Sequence, residues 1–191
     1  TALCLLIGYP VAYFISKYHS KSMLILILVP PMSVNYLIRT LATQALFRKM
    51  DFELGTATLI IGLVYNFLPY MIMPLTTTLT GIDKSYIEAA QDLGADNATV
   101  FLKTVLPLSV PGIISGVTMV FIPTISTFSI SSFLSGSATI VLFGDSIYEK
   151  FMHSIYGVGS VMSLVMLAFV LISNFFMNKF NATQKEAKNL W

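Results

Sequence analysis

The amino-acid sequence predicts an all-α fold, a polytopic membrane helix bundle, on three observations. Only 10% of the 191 residues are charged against 55% hydrophobic, with a mean hydropathy of +0.79, whereas soluble domains carry about 25% charged residues. Charge-free stretches run over 1–16, 22–38, 54–82, 104–144 and 151–178, and a bilayer core takes roughly 20 apolar residues per helix. Between the third and fourth of them lies IDKSYIEAAQDLGADNATVFLKTVLP, residues 82–107. This segment is too polar for lipid and has the marks of two short helices.

Taken in order, these stretches give five spans at about 1–17, 22–46, 56–80, 107–135 and 157–178. The fourth stretch is 41 residues long, about twice the hydrocarbon thickness at roughly 1.5 Å per residue. It must break, and Gly136, after a serine-rich run, is the expected place. The 17–21 turn, the 82–106 segment and the C-terminal tail then share one face. They hold Lys17, Lys21, Lys84, Lys103, Lys179, Lys185 and Lys188, against Arg48, Lys49 and Lys150 opposite, with Arg39 near a span end. The positive-inside rule places the first group in the cytoplasm. Thr1 is then external, an apolar start without a basic leader, and at least one further helix is expected before it.

Composition also excludes several function classes. Eleven basic residues against nine acidic ones are too balanced for nucleic acid. One cysteine, Cys4, rules out a disulfide framework. His19 and His153 lie far apart with no cysteine partner, so no metal site or cofactor is expected. No glycine-rich phosphate loop ending in Lys-Ser/Thr occurs, so the chain itself is not expected to hydrolyse ATP.

In the polar segment, Ser85-x-x-Glu88 has capping-box form. Gly94 is placed to stop the first helix in a left-handed conformation. Asp96 or Asn97 suits the N-cap of the second, and Pro107 the first turn of the next span. Ala89, Ala90 and Gly94 leave a face with little side-chain bulk, open to close approach by another backbone. Glu88-Ala89-Ala90, Gly94 four residues on, and Leu106-Pro107 at the next apolar run together resemble the "EAA" loop of type I ABC importer permeases. Thr104, where that family has isoleucine or valine, is a mild departure. IIGLVYNFLPYMIMPL (60–75), IDKSYIEAAQDLGA and Asn35-Tyr36-Leu37-Ile38-Arg39-Thr40 are more narrowly similar to spermidine/putrescine permease subunits. The short external 47–55 segment departs from them.

The resemblance implies one permease domain over 1–191 in the cytoplasmic membrane, with residues 83–106 as its coupling element. A cytoplasmic ATPase dimer, a second permease subunit, an extracytoplasmic substrate-binding protein and the surrounding lipid are the implied partners. Glu88, Ala89, Ala90, Gly94, Leu106 and Pro107 would engage the ATPase.

For the translocation path, polar and helix-breaking residues within spans point to Tyr65, Asn66, Pro123, Phe128, Ser129 and Ser132. Pro123 is expected to kink the fourth span near mid-membrane, with Phe128 as a constriction. The competing reading is that these hydroxyls bond back to their own helix. Asp51, Glu53, Asp145 and Glu149 are the external carboxylates available to a polyamine, although exposed loop carboxylates are usually only solvated. Arg39 is expected to snorkel, or else to pair with Asp51 or Glu53, because a central charge costs about 2.5–3.5 kcal/mol. Gly112-x-x-x-Gly116 and Gly159-x-x-x-Ser163 predict close helix packing.

The remaining alternatives are an importer of the same class for iron, thiamine or phosphonate, and a secondary transporter. The latter ordinarily needs embedded ionisable groups, of which the spans offer almost none.

Overall fold

A computed structural model describes residues 1–17, 32–136 and 141–188, the side chains at 178 and 180–188 excepted. All regular structure among them is helical: α1 (Ala2–Lys17), α2 (Tyr36–Lys49), α3 (Thr56–Thr80), α4 (Lys84–Asp92) and α5 (Asn97–Val100). A π turn (Phe101–Val105) joins α5 to α6 (Leu106–Ser126), which is followed by α7 (Ser129–Leu134), α8 (Phe143–Met152) and α9 (Tyr156–Lys188).

Helix α3 is the centre of the bundle, packed between α1 and α6. Small residues permit this. A side chain at Gly8 would meet Met71, one at Gly112 would collide with Thr78, and one at Gly116 with the Met71 sulfur. The expected Gly112/Gly116 pair therefore sits where α6 crosses α3. Cys4, Ala12, Ile15, Met71, Ile72, Leu75, Leu79 and Val120 fill the main core. Leu59, Ile130 and Leu134 form a second cluster at the other end of α3, joined by Phe47 and Leu54. Hydrogen bonds fix α7 there: Thr58 Oγ1 donates to the Leu134 carbonyl at 2.9 Å, and Gln44 Nε2 to the Phe133 carbonyl at 2.6 Å. The Gly159/Ser163 pair is split in its role. Gly159 faces the Phe151 ring of α8, while Ser163 Oγ donates to the Gly159 carbonyl within α9.

Among the described residues, three helices are long and apolar enough to cross a membrane: Thr56–Thr80, Asn97–Ser126 and Tyr156–Met177. The first and third lie where the sequence places spans. Helix α1 is apolar but only 16 residues long, about 24 Å at 1.5 Å per residue.

Two expectations need correction. The proposed span 22–46 lies outside the described residues over 22–31, and its remainder is not continuous. Asn35 starts a separate 14-residue helix, α2, by accepting a hydrogen bond from Leu37 N at 2.8 Å. At about 21 Å, α2 is too short for a roughly 30 Å core, and its buried residues are polar, Arg39 and Thr40. The proposed span 107–135 ends early as well. Helix α6 stops at Ser126, Thr127 turns extended, and α7 starts at Ser129. The break thus falls at Thr127–Phe128, ahead of Gly136, and Pro123 stands in the last turn of α6 instead of kinking its middle. Gly136 still turns the chain: its φ is +55°, and a side chain there would collide with the Leu54 carbonyl.

Candidate functional site

Two regions gather the residues that sequence reasoning singles out. The first is the polar segment at one end of the bundle. Asp83 caps α4, its carboxylate accepting from Ser85 N at 3.0 Å. The expected Ser85/Glu88 capping box is therefore displaced by two residues, because an aspartate at the cap satisfies the same early amide. Helix α4 closes as expected. Gly94 takes φ +82°, its amide bonds the Gln91 carbonyl at 2.8 Å, and the Ala95 amide bonds the Ala90 carbonyl at 3.1 Å, a Schellman ending. Asp96 then caps α5 through Thr99 N at 3.2 Å.

Both aspartates have their carboxyl groups held below the ordinary value of 3.8. At Asp83 the backbone amide of Ser85 is the main cause, followed by its hydroxyl; at Asp96 the Thr99 side chain leads, followed by its amide.

Helix α4 contains no buried residue. Glu88, Ala89 and Gly94 are exposed, and Leu93 is 90% exposed. The opposite side of the segment is anchored: Ile87, Ala90, Ala95 and Phe101 pack on the main core, which includes Val100 and Val105. Phe101 stacks edge-on to Tyr13 at 5.2 Å and to Tyr9 at 5.9 Å. A rigid footing thus carries a bare helix. Pro107 stands in the first turn of α6, as the sequence suggests, but that turn is not a free start: the helix runs on from α5 through the π turn, where Leu106 N reaches the Phe101 carbonyl. A wide turn just before a proline relieves the clash between its ring and the carbonyl four residues back.

The second region is a cavity of about 280 Å³ among α2, α3, the end of α6 and α7, whose lining includes Arg39, Asn66, Tyr70, Pro123, Phe128 and Ser129. Four of the six path candidates, Asn66, Pro123, Phe128 and Ser129, therefore meet in one place. Tyr65 does not line it, although the Arg39 guanidinium carbon lies 5.9 Å from its ring centre. Ser132 does not take part: it is exposed and its hydroxyl donates to the Phe128 carbonyl at 2.9 Å. Thr118, Thr124 and Ser126 likewise bond carbonyls of their own helix. Self-bonding accounts for most hydroxyls of this stretch. Phe128 stands between this cavity and an apolar one of about 460 Å³ bounded by α6, α8 and α9, and stacks on Tyr148 at 4.5 Å.

Arg39 is the residue that sequence reasoning misplaced. It is 7% exposed and neither snorkels nor pairs with Asp51 or Glu53, both of which are exposed. Its Nε and Nη1 have no hydrogen-bond partner among the described residues. The one available signal was a lone charge followed directly by Thr40, a polar pair on a short helix. None of the four external carboxylates lines the cavity. Asp145 is occupied in the first turn of α8, reaching back to accept from Leu142 N at 2.9 Å and also from Ser131 Oγ at 2.6 Å. Glu149 faces His153 at 3.9 Å, both exposed.

Residues 5–185 match the family of binding-protein-dependent transport system inner membrane components. The chain belongs to this family. Among its relatives, the spermidine/putrescine transport system permease protein PotB of Haemophilus influenzae is 35% identical, over 94% of this chain and 70% of that protein. PotB of Escherichia coli is 36% identical over 80% of this chain and 62% of its own length. PotC of Haemophilus influenzae is 28% identical over 88% of this chain and 65% of its own length. The fold is shared with an inward-facing crystal form of the MetNI methionine ABC transporter, with a TM-score of 0.72 at 17% identity, covering 94% of this chain and 87% of that one. As an inner membrane component with several apolar helices, this family member is a multi-pass membrane protein.

Proposed function

We propose that the chain is the permease subunit of an ATP-driven importer for polyamines, gripped by a separate cytoplasmic ATPase at α4. The single observation that carries the coupling role is the exposure of α4. A helix with no buried residue, small at Ala89 and closed by Gly94, stands on a footing packed into the bundle core. Movement applied to α4 would pass through α5 and the π turn into α6, and from there to α3. Glu88, Ala89 and Gly94 form the gripped surface, Ala90 seats the helix on its footing, and Leu106 and Pro107 shape the joint above it.

The polyamine assignment is supported by the names of the PotB and PotC relatives. A binding protein outside and a second permease subunit alongside complete the assembly, and the ATPase dimer supplies hydrolysis. Helices α3, α6 and α9 cross the bilayer, and α1 is read as a further crossing. The polar segment and the C-terminal end of α9 face the cytoplasm. Cation selection lies outside the Arg39 cavity, whose described lining holds no carboxylate.

The test is Glu88→Lys in the assembled transporter, read by ATPase co-purification and uptake of labelled spermidine. A loss of both by at least several-fold, with the permease still membrane-inserted, is the expected result. Undiminished attachment and uptake would overturn the coupling role. Wild-type uptake of iron, thiamine or a phosphonate in place of spermidine would overturn the cargo alone.

A further inference from the structure

We infer that the Arg39 cavity is a binding site for a small monoanion, a halide or a carboxylate. Arg39 is more than nine-tenths buried, yet its Nε and Nη1 have no acceptor among the described residues. A guanidinium stays charged at any pH the protein meets. A buried charge without a partner is strongly unfavourable, so burial of this kind calls for a counter-charge.

The described lining supplies none: Arg39 is its only charged member, and the neighbouring polar groups, the Asn66 amide and the Tyr70 and Ser129 hydroxyls, are neutral. Tyr65 offers the guanidinium a ring at 5.9 Å, which eases the charge without satisfying its N–H groups. The cavity, at about 280 Å³, has room for chloride, formate or acetate with a hydrating water. That water would also serve Asn66 Oδ1, a buried acceptor left without a donor. Asn66 is held in place to do so, because its Nδ2 donates to the Gly62 carbonyl at 2.9 Å and reaches Thr40 Oγ1 at 3.4 Å.

The anion has two possible sources, a free ion from solution or a carboxylate side chain of a neighbouring subunit, and the chemistry at Arg39 is the same for both. On the polyamine reading, on which this one consequence rests, the counter-charge removes the repulsion that a bare guanidinium would exert on a passing polycation.

Chloride-35 NMR line broadening reads the site directly, using the full-length permease and, separately, the assembled transporter. Excess broadening that formate displaces is expected from the permease alone, reduced at least tenfold by Arg39→Gln and partly retained by Arg39→Lys. Far-ultraviolet circular dichroism checks that both variants keep their helix content. Broadening that persists in the assembled transporter assigns the site to a free ion. Broadening that disappears on assembly assigns it to a partner's carboxylate. No displaceable broadening in either preparation, or the same broadening in Arg39→Gln, would overturn the inference. Transport is not part of the readout, so a different cargo leaves the result unaffected.

Discussion

Single side chains decide how the polar segment is held. Asp83 and Asp96 each place a carboxylate against the first amides of a short helix, and those donors favour the charged form. Their carboxyl groups are held below 3.8. A group depressed on folding stabilises the folded form above its unfolded value and loses that contribution as pH falls through the folded one. The caps are therefore expected to hold at neutral pH and to fail only on acidification below 3.8. Amide exchange at Ser85 and Thr99, corrected for intrinsic rate, is expected to stay slow down to about pH 4 and to speed up below it. In Asp83→Asn the pH step at Ser85 should vanish while that at Thr99 remains. A Ser85 step that survives this substitution would rule Asp83 out as the titrating cap.

Among elements, the α3–α6 crossing depends on a missing side chain. A Cβ on Gly112 would lie 2.6 Å from Thr78 Oγ1 and 2.7 Å from Thr78 Cβ, too close to be relieved by rotating a flexible tip. Gly112→Val is expected to lower stability by about 1–3 kcal/mol, the usual cost of overpacking, measured as thermal denaturation in detergent. Gly157→Val, where nothing lies within 4 Å, should be nearly neutral; equal losses in both would show that α3 and α6 do not meet there.

This crossing was legible in sequence as a small-x-x-x-small pair, and α3 itself was legible as the charge-free run 54–82 between Glu53 and Asp83. Gly94 and Asp96 were legible because turn chemistry is local. Three features were not. Asp83 and Ser85 both satisfy cap chemistry, and only the path of the backbone chooses between them. The break at Thr127–Phe128 carries no glycine or charge. The Arg39 cavity is assembled from residues 39, 66, 70 and 123–130, which no local pattern connects.

For the whole molecule, the two ends of the bundle differ in kind. One carries α4, α5 and the ends of α1 and α3; the other carries α2, α7 and α8. The proposed orientation puts the first inside the cell. In a Cys4→Ala background, which leaves no other thiol, Gln91→Cys should react with a membrane-impermeant maleimide only in inverted vesicles. Glu53→Cys should react only in intact cells. The reverse pattern would turn the molecule over and separate α4 from any cytoplasmic motor. Helix α9, whose Val161, Leu164, Leu171 and Phe175 are each about 60% exposed or more, offers an apolar flank suited to acyl chains.

The widened turn at Phe101–Val105 has a rotational consequence. One residue more or less in a helix swings everything beyond it by about 100°, so this turn acts as a phase-setter between the lever and the shaft above it. With its extra residue, the bare stripe at Gly112 and Gly116 meets α3; shortened by one, the shaft would present branched side chains to that seam. On the proposed coupling role, a push on the lever would reach one particular flank of the shaft, the flank that leans on the centre of the bundle.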